Sequence, residues 1–370
     1  MPKLLHIADL HLDSRFVNFS PSQSSDRRNL QRQVFSRALS FAENASCDVV
    51  LICGDLFDSE LCTENTLLFL SECFSRHPKI KFVISPGNHD PYSSDSPYRA
   101  ADFPDNVFIF NDKKVSSFVF PELDLTVYGY AFTSPAYYDM PLESADLSGK
   151  KTHYSVLCAH TELDVPLSRY APVTTAQLAA SDLDYAALGH IHAGSGIHKA
   201  GKTLFAYSGC AEGRDFSECG EKGGILVSLS ENGTHAEKVY FSQRIYAEAD
   251  LDVSSLESED SIIQAAKKKF ADIKKDPSKD YIIRLKLCGT VSGEPDTAVI
   301  YSQLAEYGAA EVVDETVCLY KSLDFDKDFS IRGQFYRQLL PLLLSEKPEE
   351  RSKAKAALKF GLCALDGKEL

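Results

Sequence analysis

Five short polar clusters carry the chemistry open to this chain: Asp9 and His11 in ADLH, Asp55 and Asp58 in GDLFD, Asn88, His89 and Asp90 in GNHD, His160 in CAH, and His190 with His192 in GHIH. Carboxylate, imidazole and carboxamide groups without a thiolate suit a divalent metal of intermediate hardness, such as manganese, iron or zinc. Seven candidate ligands, Asp9, His11, Asp55, Asn88, His160, His190 and His192, are too many for one tetrahedral ion. They fit two ions that share a carboxylate, a pair about 3.5 to 4 Å apart that clamps the attacking and leaving oxygens of a phosphoryl group.

Each cluster taken alone has a bland reading. A lone Asp-x-His is common by chance, and GNHD has the composition of an ordinary turn. Together they occur in order, each at a predicted strand end, and His11, His89, His160, His190 and His192 are five of the ten histidines. In open α/β sheets the loops beyond the carboxyl ends of the strands form the ligand crevice, so the clusters can meet in one place. Gly54, Gly87 and Gly189 stand just before these loops, where a sharp bend or a close approach excludes a Cβ.

The elements that must position them follow from the apolar pattern. Leu4 to Ala8 reads as a strand and RRNLQRQVFSRALSFAENA as a helix; DVVLICG, TENTLLFLSECFSR and KIKFVIS read as strand, helix and strand. This is an α/β start with parallel pairing. From Val107 the segments VFIF, LTVYGYAF, YSVLCAH, YAALGH, TLFAYSG, GGILVSL and AEKVYFS predict a second, mostly antiparallel sheet packed on the first. The acidic stretch AEADLDVSSLESED, 247–260, reads as a linker, after which helix, strand, helix and strand predict a small α/β unit. The last stretch reads as two helices separated near Pro348. The expected boundaries are 1–246 for the domain with the clusters, 260–322 for the small unit and 326–370 for the helical tail.

Composition bounds the partners. The apolar fraction of 44% and charged fraction of 25% are ordinary for a globular protein, and 370 residues suit one large domain plus a smaller one. A formal net charge of −14 argues against a broadly nucleic-acid-binding surface, so an anionic substrate needs a local positive centre of metals or a few arginines. The chain has no basic-then-apolar opening, no long apolar run for a membrane span, and ten scattered cysteines without a CxxC pair. A reduced, cytoplasmic protein with free thiols and no membrane association is expected.

The ordered set DLH, GDLFD, GNHD, H and GHIH resembles the calcineurin-like metallophosphoesterase superfamily over roughly the first 245 residues. KLLHIADLHLDSRF, YSGCAEGRDFSECGEKGGILV and SIRGQFYR are similar to the SbcD and YhaO type of bacterial DNA exonuclease subunit. The resemblance implies a four-layer α/β/β/α sandwich of two mixed sheets, with a small C-terminal α/β cap and a helical tail. It implies one metal on Asp9, His11, Asp55 and His192, and a second on Asp55, Asn88, His160 and His190, with Asp55 as the bridge. Mn2+ is the expected ion, with Fe2+, Zn2+ and Mg2+ as alternatives.

In that family pattern a water bridging the metals attacks phosphorus, and His89 faces the phosphate or protonates the leaving 3′ oxygen. Asp58 would orient His89, and Asp90 would fix its loop through backbone amides. Arg15 and Arg214 are candidate substrate-phosphate contacts beside the reading of each as a surface charge. His6, His77, His153, His198 and His235 lack motifs and read as structural or solvated, and Cys158 reads as core beside a filled ligand set. Cys210-Ala211 stands where similar proteins carry Ser-Pro, which touches loop shape but no ligand.

The implied activity is hydrolysis of DNA phosphodiester bonds in repair, as exonuclease or endonuclease. Alternatives are a phosphodiesterase or phosphatase for small nucleotides or phosphoproteins, and a non-catalytic scaffold, which would be expected to have lost ligands. Implied partners are DNA, a coiled-coil ATPase subunit of the SbcC or YhaN kind docking on Phe335, Leu339, Leu343, Leu344, Phe360 and Leu362, and a second copy in a homodimer.

Overall fold

The computed structural model describes residues 1–17, 20–59, 62–145, 147, 152–256, 258–291, 295–318 and 328–365. The chain divides into two compact units, Met1–Ile245 and Tyr246–Leu370. The first runs β1 (Lys3–Ile7), α1 (Pro21–Asn44), β2 (Val49–Ile52), α2 (Glu64–Arg76), β3 (Lys81–Ile84), α3 (Pro97–Ala100), β4 (Val107–Ile109), β5 (Ser116–Phe120), β6 (Leu125–Gly129), β7 (Tyr154–His160), α4 (Thr175–Ala180), β8 (Tyr185–Gly189), β9 (His198–Ala200), β10 (Thr203–Tyr207), β11 (Gly223–Ser230) and β12 (Gly233–Tyr240).

Two six-stranded sheets result. In the first, ordered β12-β11-β1-β2-β3-β4, the strands β1 to β4 are parallel and β11 and β12 are antiparallel. In the second, ordered β5-β6-β7-β8-β10-β9, the run β6 to β10 is parallel and only the edges β5 and β9 are antiparallel. The expectation of a mostly antiparallel second sheet is therefore corrected. Every residue of β7 and β8 is buried, the mark of strands covered on both faces, and such strands favour parallel pairing through crossovers. VFIF, GGILVSL and AEKVYFS, assigned by their sequence to the second sheet, join the first as β4, β11 and β12.

Alternation along the strands builds the layers. Val50, Ile52, Phe82 and Ile84 pack against Phe35, Leu39, Leu70 and Phe74 of α1 and α2. Leu4, Val49, Leu51 and Val83 face the other way and meet Val127, Val156, Tyr185 and Ala187 of the second sheet. The far face of that sheet is covered by Tyr130, Phe132 and Tyr137 of the segment after β6 and by Leu178 of α4. This is the α/β/β/α order, and each fully buried Val, Leu, Ile or Phe contributes about 1.5 to 3 kcal/mol. α1 starts cleanly because Ser20 and Gln23 form a reciprocal cap and Pro21 opens the first turn.

One polar side chain sits between the sheets. His6 Nδ1 lies 3.0 Å from the Tyr185 hydroxyl and Nε2 lies 3.2 Å from the Leu188 carbonyl, so β1 is stitched to β8. Burial lowers its pKa to about 3, against the raising effect of the Leu188 hydrogen bond, and the ring is neutral.

The second unit holds β13 (Arg244–Asp252), which starts at the end of the first unit, then α5 (Glu259–Ile273), β14 (Asp280–Cys288), β15 (Thr290–Val291), α6 (Thr297–Leu304), β16 (Ala309–Asp314), β17 (Val317–Cys318), α7 (Ile331–Leu343) and α8 (Pro348–Leu365). Its three-stranded sheet has the order β13-β14-β16, with β14 and β16 parallel. The stretch 247–260 is not a linker throughout. Its first residues complete β13, with Ala249 buried between exposed acidic neighbours, and Ser258 caps α5. Tyr336, Leu343, Ala354 and Leu358 bind α7 to α8. Among the described residues no helix is long and apolar enough to cross a membrane.

Candidate metal centre

The strand ends bend sharply at the residues singled out above. Asp9 (φ 51°), His11 (φ 47°), Asp55 (φ 51°) and His190 (φ 103°) all hold positive φ, a conformation that few residues other than glycine adopt. Strain of this kind persists where the surroundings over-determine the backbone, and here they do. The loops after β1 and β2 are zipped by Asp9 N–H to the Gly54 carbonyl at 3.1 Å and His11 N–H to the Asp55 carbonyl at 2.9 Å. The Asp90 carboxylate accepts from the backbone N–H groups of Asp55 (3.2 Å), Gly87 (2.7 Å) and Phe57 (3.1 Å) and from the Tyr98 hydroxyl (2.6 Å). A methyl group on Gly54 would strike the His160 ring, and one on Gly87 the Asp55 carboxylate.

Ring nitrogens and a carboxamide oxygen face one another across short gaps. His160 Nδ1 donates to the Cys53 carbonyl at 3.0 Å, which leaves Nε2 as a lone pair 2.9 Å from the Asn88 carboxamide oxygen, itself an acceptor. His192 Nδ1 lies between Glu218 Oε1 at 2.7 Å and Arg214 Nη2 at 2.9 Å, and His11 Nδ1 lies 3.2 Å from Asp58 Oδ1. Their Nε2 atoms are 3.1 Å apart. The facing acceptors of His160 and Asn88 suit a cation, and the His11 and His192 rings offer the same kind of donor on the other side.

Asp55 stands between the two pairs. Its Oδ2 is 3.4 Å from His160 Nε2 and 3.8 Å from His11 Nε2, while Oδ1 accepts the His89 N–H at 3.0 Å. Ligand atoms of Asp9, His11 and His192, and likewise of Asp9, Asp55 and His160, lie within 4.8 Å of one another. His190 joins through its N–H, 3.1 Å from Asp9 Oδ1, with its ring centroid 5.1 Å from that of His160. The structure thus brings together all of Asp9, His11, Asp55, Asn88, His160, His190 and His192.

The electrostatics agree. Burial lowers the pKa of His11 and His160, and that of His190 falls to about 3, so these three rings are neutral and free to act as ligands. Asp9 is pushed well above the carboxylate range by burial and by the Asp55 charge. Burial acts to raise Asp55, and attraction to any proton taken up on the His160, His11 and His89 rings, with the His89 N–H it accepts, acts to lower it. Two buried carboxylates that repel one another are stabilised as anions by divalent cations.

The remaining candidates divide. His89 is exposed over the site, its ring 4.8 Å from His11, with Nδ1 donating to the Asp58 main-chain carbonyl at 3.1 Å. Asp58 therefore touches His89 through its backbone, and its carboxylate faces His11 and Arg214 instead. The Arg214 guanidinium holds Glu218 at 3.2 Å and Asp58 at 3.5 Å, so it braces two groups behind the ligands. Arg15 is exposed. Cys158 Sγ lies 3.4 Å from Cys53 Sγ in the inter-sheet core, and the Cys210 N–H donates to the His192 carbonyl at 3.0 Å.

Sequence reasoning missed Glu218. Burial alone would raise its pKa, yet His192 and Arg214 hold it at about 2, an anion against a ligand's outer nitrogen. The residue lies in the GRDFSECGEKG stretch, four after Arg214, and that stretch was its signal.

Neutral imidazoles and buried carboxylates beyond the carboxyl ends of two packed mixed sheets define a metal-dependent phosphoesterase. Residues 2–194, more than half of the 370, match the calcineurin-like phosphoesterase family, and the chain belongs to it. The family works with a dimetal centre. The chain is 26% identical over 295 residues to the uncharacterized metallophosphoesterase YhaO of Bacillus subtilis, covering 77% of this chain and 71% of that protein. It is 26% identical over 269 residues to the DNA double-strand break repair protein Mre11 of Aeropyrum pernix, covering 68% of this chain and 64% of that protein, a little under two thirds. Among solved structures, TT1561 of Thermus thermophilus is similar at a TM-score of 0.40 and 10% identity, covering 64% of this chain and 98% of that one.

Proposed function

We propose that this phosphoesterase hydrolyses DNA phosphodiester bonds as an exonuclease or endonuclease of repair. The observation that carries the reading is the two close pairs on either side of Asp55, His11 Nε2 with His192 Nε2 and His160 Nε2 with Asn88 Oδ1, which supports a two-cation site. Relatives whose names include a double-strand break repair protein, and the SbcD- and YhaO-like motifs, favour DNA over small phosphoesters.

Bound divalent ions, with Mn2+ as the proposed species, would supply an activated water and charge neutralisation for phosphoryl transfer. Asp9, His11, Asp55 and His192 would hold one, and Asp55, Asn88, His160 and His190 the other. His89 faces outward with Nδ1 fixed on the Asp58 carbonyl, which leaves Nε2 to carry a proton to the leaving oxygen. Glu218 and the Asp58 carboxylate stand against the outer nitrogens of His192 and His11, with Arg214 beside the first, which orients the two rings.

The tail supports a proposed protein partner such as a coiled-coil ATPase subunit. Of the residues expected to dock, Leu344 is 61% exposed and Phe360 53%, and Ile331 nearby is 71% exposed, whereas Leu343 is buried in the α7–α8 seam with Phe335 and Leu339 packed against it, and the side chain of Leu362 lies outside the described residues.

The test is cleavage of end-labelled single- and double-stranded DNA with manganese, magnesium or EDTA, beside bis-p-nitrophenyl phosphate. Manganese-dependent shortening of DNA is expected, and His89→Ala should lower kcat by about 10²- to 10⁴-fold while metal content stays the same. Hydrolysis of the small diester with DNA untouched, in the presence of the partner as well as alone, would overturn the DNA reading.

A further inference from the structure

Two loops beside the metal centre present apolar and aromatic side chains that their own packing leaves exposed. The loop after β7 pairs with the segment around Tyr137: the Tyr137 N–H donates to the Arg169 carbonyl at 2.8 Å and the Ala171 N–H to the Tyr137 carbonyl at 2.7 Å. It is fixed further by Thr161 Oγ1 on the Ala171 carbonyl (2.7 Å), the Leu163 N–H on the Tyr207 hydroxyl (2.9 Å) and the Thr175 N–H on Asp164 (2.8 Å). Tyr137 itself packs inward on Tyr130 and Phe132.

On this pinned frame Leu167 is 97% exposed and Tyr138 68% exposed. The exposed Arg169 lies over the Tyr170 ring at 5.1 Å and donates to its hydroxyl from Nε (3.0 Å) and Nη2 (2.9 Å). The Tyr170 ring is in turn 4.3 Å from the ring of His190, a proposed metal ligand. The shelf therefore begins at the centre.

The segments carrying Leu167 and Tyr138 are held together by the Tyr137–Arg169 and Tyr137–Ala171 backbone hydrogen bonds, and Tyr170 ties that frame to His190, which places exposed apolar side chains within reach of a group bound at the centre. Asp139 beside Tyr138 and Asp164 beside Val165 disfavour a run of phosphates across it. What fits is the uncharged face of a base, which stacks on tyrosine rings, guanidinium planes and aliphatic side chains regardless of its identity. We propose that Arg169, Tyr170, Tyr138 and Leu167 form a stacking shelf for the unpaired base next to the scissile bond, so that the centre selects single-stranded or frayed ends. In an intact duplex both faces of the base are already stacked, and the shelf has nothing to hold. The inference rests on the reading of the centre as a DNA phosphodiesterase.

The chain contains no tryptophan, so Tyr138→Trp installs a single indole on the shelf. In the manganese-loaded full chain, combined with His89→Ala to slow turnover, a short oligothymidylate should quench its fluorescence and an abasic phosphodiester chain of equal length should not. In the His89 background of the natural protein, Tyr138→Ala and Leu167→Ser, both at exposed positions, should each lower the kcat/KM ratio of oligothymidylate over the abasic chain about tenfold. Equal quenching by both chains, or an unchanged ratio, would overturn the shelf. Should the natural protein cleave both chains equally well, the DNA reading stands and the shelf alone falls. Hydrolysis of bis-p-nitrophenyl phosphate with neither chain cut would overturn both.

Discussion

At the residue scale the centre is set by what holds each ring from behind. His160 Nδ1 donates to the Cys53 carbonyl, His192 Nδ1 meets Glu218 and Arg214, and His11 Nδ1 faces Asp58. Glu218→Gln removes the anion while keeping the shape, and metal affinity should fall about 10- to 100-fold in a chelator-competition titration. An unchanged affinity would mean that Arg214 alone orients the ring. The seven residues that the fold brings together were legible in the sequence because each stands at a strand end and is chemically uncommon there. Glu218 was not, since its role comes from a contact 26 positions away in the chain. Nor does a spacing of three residues from Asp55 say whether Asp58 turns its carboxylate or its carbonyl toward His89.

At the element scale the first three strands and two helices were legible because apolar period and turn residues agree in each. The second sheet misled because short apolar strands look alike whether parallel or antiparallel, and long-range pairing leaves no local mark. The stitch from β1 to β8 gives a pH prediction. His6 has a pKa of about 3 in the fold against 6.5 for a free histidine, so its contribution is complete above pH 6.5 and is lost as pH falls toward 3. The loss is on the order of 4 kcal/mol across that window. Urea unfolding of His6→Gln, whose carboxamide can meet both Tyr185 and Leu188, should show a flatter acid limb than the natural protein. Parallel limbs would place the acid sensitivity elsewhere.

At the scale of the whole molecule, the proposed DNA activity would have an acidic chain of net charge −14 rely on bound metals and a few local contacts. DNA affinity should then fall less than about tenfold between 50 and 200 mM salt, where a protein with six to ten phosphate contacts loses about 10³- to 10⁵-fold. A steep salt slope by anisotropy titration would reveal a basic track. The ring nitrogens that meet at 3.1 Å belong to His11 and His192, 181 positions apart in the chain. That separation governs the order of events during synthesis. A chain emerging from the ribosome carries Asp9, His11, Asp55 and Asn88 long before His160, His190 and His192, so the cluster is assembled only after most of the first unit has been translated. An unfinished copy is born without it.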